Sequence, residues 1–256
     1  MENRDVEELL ALVQSTRAMI LAGAEALQVT QKGRSDYLTQ VDTAVQNYLK
    51  NALQERYPQV QFMSEEQDNG TIDLAKPTWV LDPIDGTANL VHGFRHSAVS
   101  LALWENGTPV LGVVYQPFTD ETWCATHGGG CRYNGAPCHV SDQADLEKCL
   151  PMIGTSAYDK TPSKAYFQTI FRIFTACEDI RRSGSAALDL AYVASGRVDC
   201  FVEPVLRPWD FGAGLLLVRE AGGQVTDYRG AQPTIEKDSS IVASNGKIHQ
   251  KIMELL

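Results

Sequence analysis

The sequence predicts an α+β fold of helices layered on mostly antiparallel sheets, and three observations carry that prediction. Two amphipathic stretches come first, apolar runs broken by Asn-Gly turns follow, and helical and extended patterns then alternate to the end. That order fits a sandwich of helices and sheets better than a doubly wound sheet. With 256 residues, 44% hydrophobic and 21% charged, the chain can bury a large core, and disordered, collagenous and disulfide-scaffold classes are excluded. It reads as one domain over 1–256, made of two intimate halves, roughly 1–145 and 146–256.

Taken in order, Val6, Leu9, Leu10, Val13, Met19 and Ile20 predict one long amphipathic helix over 6–27, broken by the polar stretch 31–36. A second helix starts at Thr39 as its cap, carries Asp42 in its first turn and ends at Tyr57-Pro58. The short apolar run 60–63 predicts a strand that delivers Ser64, Glu65 and Glu66, and a polar loop follows over 67–77. The run 78–81 predicts another strand, stopping on Asp82-Pro83. A hairpin turning at Asn106-Gly107 is expected over 97–116, and a second around Asn134-Gly135, flanked by 123–126 and 138–140. Residues 161–177 read as a helix whose Tyr166, Phe167, Ile170, Phe171 and Phe174 form a core-facing stripe. Then come a helix over 185–195, a strand over 198–203 and a helix over 208–221 closed by Gly222-Gly223. Strands near 225–227 and 240–243 and a closing helix complete the order.

Charge and cysteine usage narrow the function classes. The 22 Lys and Arg against 32 Asp and Glu leave a net charge of −10, which argues against nucleic acid or anionic lipid as a direct partner. The six cysteines form no CxxC, so zinc-ribbon and thioredoxin-like readings fail and a reducing, cytoplasmic setting is expected. The evenly spaced Cys124, Cys131 and Cys138 straddle a hairpin and a turn and are not expected to share a face. No signal peptide or membrane-spanning run is read, and neither GxGxxG nor GxxxxGK[ST] occurs.

The sharpest segment is Trp79-Val80-Leu81-Asp82-Pro83-Ile84-Asp85-Gly86-Thr87. Two carboxylates this close repel unless something positive lies between them, and hard divalent cations with oxygen ligands are the usual solution. Gly86 permits a close turn, Thr87 adds a hydroxyl, and a helix opening there would leave N–H groups free for a phosphate. The same residues also suit an ordinary turn in which the acids cap backbone groups. Glu65-Glu66 and Trp209-Asp210 place further acids at junctions of elements and loops.

Together, Glu65-Glu66, Asp82-Pro83-Ile84-Asp85-Gly86-Thr87-Ala88-Asn89, Arg181-Arg182-Ser183-Gly184-Ser185-Ala186-Ala187 and Trp209-Asp210-Phe211-Gly212-Ala213-Gly214, with Gly222-Gly223, resemble the signature of the inositol monophosphatase family. The resemblance covers essentially the whole chain. It implies a layered αβαβα sandwich and a lithium-sensitive, Mg2+-dependent phosphomonoester hydrolase acting on a small phosphorylated polyol or sugar. Two or three ions are implied: one on Glu65, Asp82 and the carbonyl of Ile84, a second on Asp82, Asp85 and Asp210, and a looser third sharing Glu65. Thr87 and Glu65 are implied to orient the attacking water, with Asp42 as the partner of the threonine. Gly86 and Thr87 are implied to bind phosphate through backbone N–H groups, and Glu203, Asp85, Gly184, Ser185 and Ala186 to touch the alcohol.

By the same resemblance inositol monophosphate is the leading substrate, histidinol phosphate an alternative whose amine suits Glu203, and the protein a homodimer. Resembling bacterial members also bind the transcription machinery, so a non-catalytic regulator is the rival from another class. The chain departs from the family in the loop 31–41, one residue shorter, where Lys32 corresponds only roughly to the family's lysine. His92 and His96 stand four apart, but Gly93 and Phe94 between them argue against a helix, and a structural or exposed role is expected. Arg181-Arg182 suits a partner subunit, an anion or solvent alike.

Overall fold

The structure, a computed structural model, describes residues 3–33, 36–70, 72–157, 160–161 and 163–256. Helices α1 (Asn3–Gln14) and α2 (Arg17–Glu25) replace the single helix expected over 6–27. Hydroxyls between them account for the break: Ser15 Oγ donates to Leu12 O at 2.7 Å and Thr16 Oγ1 to Val13 O at 2.6 Å, competing for carbonyls of the last turn. The polar stretch that follows is a hairpin rather than a plain break. Strands β1 (Val29–Gly33) and β2 (Asp36–Thr39) pair antiparallel, with residues 34 and 35 outside the described residues. Because β1 is exposed along its whole length, no hydrophobic alternation marks it in the sequence. Helix α3 (Gln40–Arg56) begins where the cap predicts: Thr39 Oγ1 accepts from Val41 N at 3.1 Å and Asp42 Oδ2 from Thr39 N at 2.9 Å.

Strands β3 (Gln61–Ser64) and β4 (Thr78–Asp85), then after the short helix α4 (Thr87–Val91) strands β5 (Ala98–Glu105), β6 (Thr108–Gln116), β7 (Glu121–Thr126), β8 (Gly130–Tyr133) and β9 (Ala136–Cys138), form one sheet in that spatial order. Only β3 and β4 run parallel. Asn106 and Gly107, at φ 50° and 72°, make the expected β5–β6 turn. The second hairpin is corrected: Asn134-Gly135 joins β8 to β9, and β8 is a strand of its own that the sequence reading missed. With Cys131 its one buried residue, β8 carries too weak an alternation to be recognised.

The chain continues through β10 (Pro151–Ile153), α5 (Ser163–Ala176), α6 (Ala186–Ala194), β11 (Cys200–Leu206), α7 (Pro208–Phe211), α8 (Gly214–Glu220), β12 (Gln224–Thr226), β13 (Ser239–Ser244) and α9 (His249–Met253). A second sheet has the order β10-β11-β13-β12, with β10 and β11 parallel. The strand expected over 198–203 starts later and runs on to Leu206, and three-residue β10 was not anticipated. The one helix expected over 208–221 is two, α7 and α8; at their junction the carbonyl of Gly212 accepts from Trp104 Nε1 at 3.2 Å while Leu216 N donates to Ala213 O at 3.1 Å.

Side-chain alternation stacks these elements in five layers, αβαβα. Trp79, Leu81, Val99, Leu101 and Val113 of the large sheet pack on Leu9, Val13, Ile20, Val45 and Leu49 of α1–α3. Val80, Ala102, Trp104 and Trp123 on its other face meet Leu188 and Leu190 of α6 and Leu215 and Leu217 of α8, which in turn cover Phe201, Ile241 and Ala243 of the second sheet. Val202 and Val242 on the far side of that sheet meet Ile170 and Ile173 of α5 and Ile252 of α9. The period of two therefore points Asp82 and Glu203 from their strands toward the middle helices. Among the described residues, no helix is long and apolar enough to cross a membrane.

The aromatic stripe of α5 divides, against expectation. Tyr166 and Ile170 are buried, but Phe167, Phe171 and Phe174 are 57%, 65% and 48% exposed. An outermost helix buries a single face, and the five apolar side chains span more of the circumference than that face covers.

Candidate active site

The centre of the site is built by a bulge. Strand β4 pairs Asp82 with Ser100 and Asp85 with Ala98, so one extra residue is inserted where Pro83 has no N–H to give the ladder. The strand thus continues through Asp82-Pro83, where it was expected to stop. Ile84 N donates to Asp82 Oδ1 at 2.9 Å, which fixes the turn that brings Asp85 round to the same side. Asp210 arrives from the capping turn of α7, its Oδ2 accepting from Arg207 N at 2.8 Å. One carboxylate oxygen from each of Asp82, Asp85 and Asp210 lies within 4.8 Å of the others, and all three residues are buried.

Burial and mutual repulsion raise the proton affinity of this cluster. Asp82 is pushed well above the usual carboxylate range by burial and by Glu65, Asp85 and Asp210; Asp210 is pushed the same way by burial, Asp85 and Glu65. Asp85 rises only to about 6, since its burial is opposed by hydrogen bonds from Ser185 and the α6 backbone. Ser185 Oγ donates to Asp85 Oδ2 at 2.5 Å and Ala187 N donates at 2.7 Å, which ties β4 to the start of α6. Glu65, after β3, stands on the cleft wall beyond the tight triplet and is pushed up to about 8 by burial and by Glu66, with Lys32 pulling the other way. Lys32 Nζ lies 2.6 Å from Glu66 Oε1, so the β1–β2 hairpin is pinned beside Glu65.

Gly86 has φ 88°, and a Cβ there would lie 3.1 Å from the carbonyl oxygens of Gly184 and His96. Thr87 then opens α4, where Asn89 N and Leu90 N donate to Gly86 O at 2.9 and 3.2 Å and the N–H groups of Thr87 and Ala88 precede the first helical bond. Thr87 Oγ1 is 2.9 Å from Asp42 Oδ1 and 2.9 Å from Ile84 O, so its single proton has two acceptors. Burial raises the Asp42 carboxyl, while bonds from Thr39 and Thr87 hold it down. Glu203 accepts from Ser156 N at 2.7 Å and is pushed up to about 7 by burial. Gly154 makes room for it, for a Cβ at that position would fall 2.0 Å from Glu203 Oε2.

Glu65, Asp85, Gly86, Thr87, Gly184, Ser185, Ala186, Glu203 and Asp210 all line one open cleft of about 740 Å³. Asp42, Asp82 and Ile84 do not line it; they are buried behind its wall.

A model of the inositol monophosphatase family matches residues 4–256. The chain belongs to that family. It is 41% identical over 224 residues to Nus factor SuhB of Salmonella typhimurium, covering 88% of this chain and 84% of that one. It is 39% identical to a Thermotoga maritima protein named fructose-1,6-bisphosphatase/inositol-1-monophosphatase, again covering 88% of this chain and 84% of that one. The solved IMPase of Thermotoga maritima matches with a TM-score of 0.88 at 35% identity, over 98% of this chain and 96% of that one. The fold is therefore that of an inositol monophosphatase.

In this inositol monophosphatase-family chain the cleft also contains Gly154 and Asp189, which sequence reasoning passed over, with Asn89, quoted there without a role, and Arg182, whose role was left open between a partner subunit, an anion and solvent. Asn89 Nδ2 donates to His96 O at 2.7 Å and to Ser183 O at 3.0 Å, joining the two glycine turns. A carboxylate inside the apolar run 186–194 was the one available signal for Asp189. Arg182 sits at the cleft mouth, its Nη2 3.3 Å from Thr155 Oγ1, while Arg181 pairs with Asp179. His96 is largely buried between Phe94 and Tyr192, with ring centroids 6.0 and 5.9 Å away. One cysteine expectation is corrected: Cys131 and Cys138 are direct partners across β8 and β9 and pack on the same core, whereas Cys124 faces the opposite one. The extra strand β8 brings the pair together.

Proposed function

We propose that the chain is a Mg2+-dependent phosphomonoesterase acting on inositol monophosphate or a related small polyol or sugar phosphate. The observation that carries this reading is the convergence of Asp82, Asp85 and Asp210 in a buried space where three carboxylates repel one another. An all-oxygen set of hard donors fits magnesium better than a softer metal. Glu65, Asp82, the Ile84 carbonyl, Asp85 and Asp210 would hold two or three ions. Bound magnesium supplies Lewis-acid stabilisation of phosphoryl oxygens and makes water more acidic.

The chain's own groups account for the rest of the proposed reaction. Glu65 and Thr87 orient the attacking water, and Asp42 holds the threonine hydroxyl that faces it. Backbone N–H groups of Gly86 and Thr87 receive the phosphate. Asp85, Gly184, Ser185, Ala186 and Glu203 contact the leaving alcohol, and the relative named fructose-1,6-bisphosphatase/inositol-1-monophosphatase supports a polyol or sugar in that place. Similarity to Nus factor SuhB favours a second reading, a regulator of transcription without catalysis. Magnesium-dependent phosphate release from inositol 1-phosphate, histidinol phosphate and fructose 1,6-bisphosphate decides between them. Release from the first above the other two is expected, and inertness on the whole panel would leave the regulator.

A homodimer in the cytoplasm belongs to the same proposal. The six unpaired cysteines support a reducing compartment. Phe167, Phe171 and Phe174 form an exposed apolar strip on α5 that suits a second copy of the chain. Replacing all three by Ser is expected to turn a dimer into a monomer in sedimentation at micromolar concentration. A wild-type monomer, or a triple variant that stays dimeric, would refute that interface.

A further inference from the structure

Helix α6 is apolar except for one residue. Asp189 lies among Ala187, Leu188, Leu190 and Ala191, all fully buried, and is itself 2% exposed. It stands four residues after the cap Ser185, one turn along, and so on the same face as the serine that donates to Asp85. Its Oδ1 accepts from Ser183 Oγ at 2.5 Å. Its other oxygen has no hydrogen-bond partner among the described residues, and no Lys or Arg of those residues forms an ion pair with it. Arg182, the cation that acts on it, is itself exposed at the cleft mouth.

A buried carboxylate with one donor is expensive to keep, and the fold draws no visible benefit from it that Leu or Asn would not supply. Asp189 also lines the cleft, where it shares the wall with Glu203, Gly184 and Ser185. Glu203 is committed on one side to the backbone of Ser156, just as Asp189 is committed to Ser183, and each retains acceptor capacity. Two such carboxyl groups can accept hydrogen bonds from two different hydroxyls of one ring.

We infer that Asp189 is a specificity-determining residue whose uncommitted oxygen accepts a hydroxyl of the leaving polyol, alongside Glu203. This rests on the phosphomonoesterase reading of the cleft. Asp189→Asn keeps the size and an acceptor for Ser183 but turns an amide donor toward the hydroxyl.

The test measures kcat/KM for inositol 1-phosphate and for p-nitrophenyl phosphate, whose leaving group has no ring hydroxyls. The ratio of the two should fall about tenfold in Asp189→Asn, the loss of one buried hydrogen bond and its replacement by a facing donor. An equal loss on both substrates would overturn the inference, leaving Asp189 to act only through Ser183 on the loop. Wild-type protein inert on both would sink the phosphatase reading itself and the inference with it. If the variant does not fold, singly deoxygenated inositol 1-phosphates carry the test on the wild type. Removal of at least two different hydroxyls should each cost about tenfold, and a cost at one or none overturns the inference.

Discussion

Asp82→Asn should cut magnesium-dependent phosphate release by about 10²–10³ and, in the same protein, raise the melting temperature measured in chelator. The two effects have opposite signs because they come from one charge. Asp82 is 1% exposed and is pushed toward protonation by burial and by Glu65, Asp85 and Asp210, so the metal-free fold carries a concentrated repulsion at that point. Asn preserves the volume and the acceptor for Ile84 N while removing the repulsion. With the charge goes the strongest reason for a divalent ion to bind, and with it several kcal/mol of phosphoryl-charge stabilisation, about 10²–10³ in rate. A misfolded variant would lose activity and stability together. Retention of more than about a tenth of the wild-type rate, well short of the loss expected for a ligand, would remove Asp82 from the proposed metal set.

The sequence carried the site further than it carried the framework around it. Asn106-Gly107 and Thr39 announce a turn and a helix start through chemistry that belongs to single residues, and both are found where that chemistry acts. Likewise the Asp82-Pro83-Ile84-Asp85-Gly86-Thr87 run contains its own geometry, since the bulge, the turn and the start of α4 are all local. What was illegible depends on partners distant in the chain. At the break after Phe211 the carbonyl of Gly212 accepts from the indole of Trp104, 108 residues away. The exposure of Phe167, Phe171 and Phe174 depends on α5 lying outermost, and the β1–β2 hairpin has no buried face in β1 to betray it. Asp189 is the converse case: it breaks the local pattern, and only the cleft beside it supplies a reason.

The stabilisation conferred by magnesium should grow steeply between pH 5 and pH 8. In the metal-free protein Glu65 is pushed up to about 8 and Asp85 to about 6, while Asp82 and Asp210 are held well above the usual carboxylate range by burial and by the neighbouring acids Glu65 and Asp85. Each carboxyl is released in the unfolded chain near the ordinary value, about 4. Across that window the native state therefore binds more protons than the unfolded state, and the metal-free fold loses stability as pH rises until the native groups have also titrated. Magnesium must displace those same protons, so its apparent affinity rises as the acids ionise. At pH 8, with magnesium about 100 times above its dissociation constant, binding contributes about 2.7 kcal/mol, or roughly 5–10 °C in melting temperature for a chain of this size. At pH 5 the same magnesium concentration should move the transition by a small fraction of that. Thermal scans with and without chelator at the two pH values measure the difference, and a magnesium shift of equal size at both would mean that the acids of the cluster are not the groups that bind it.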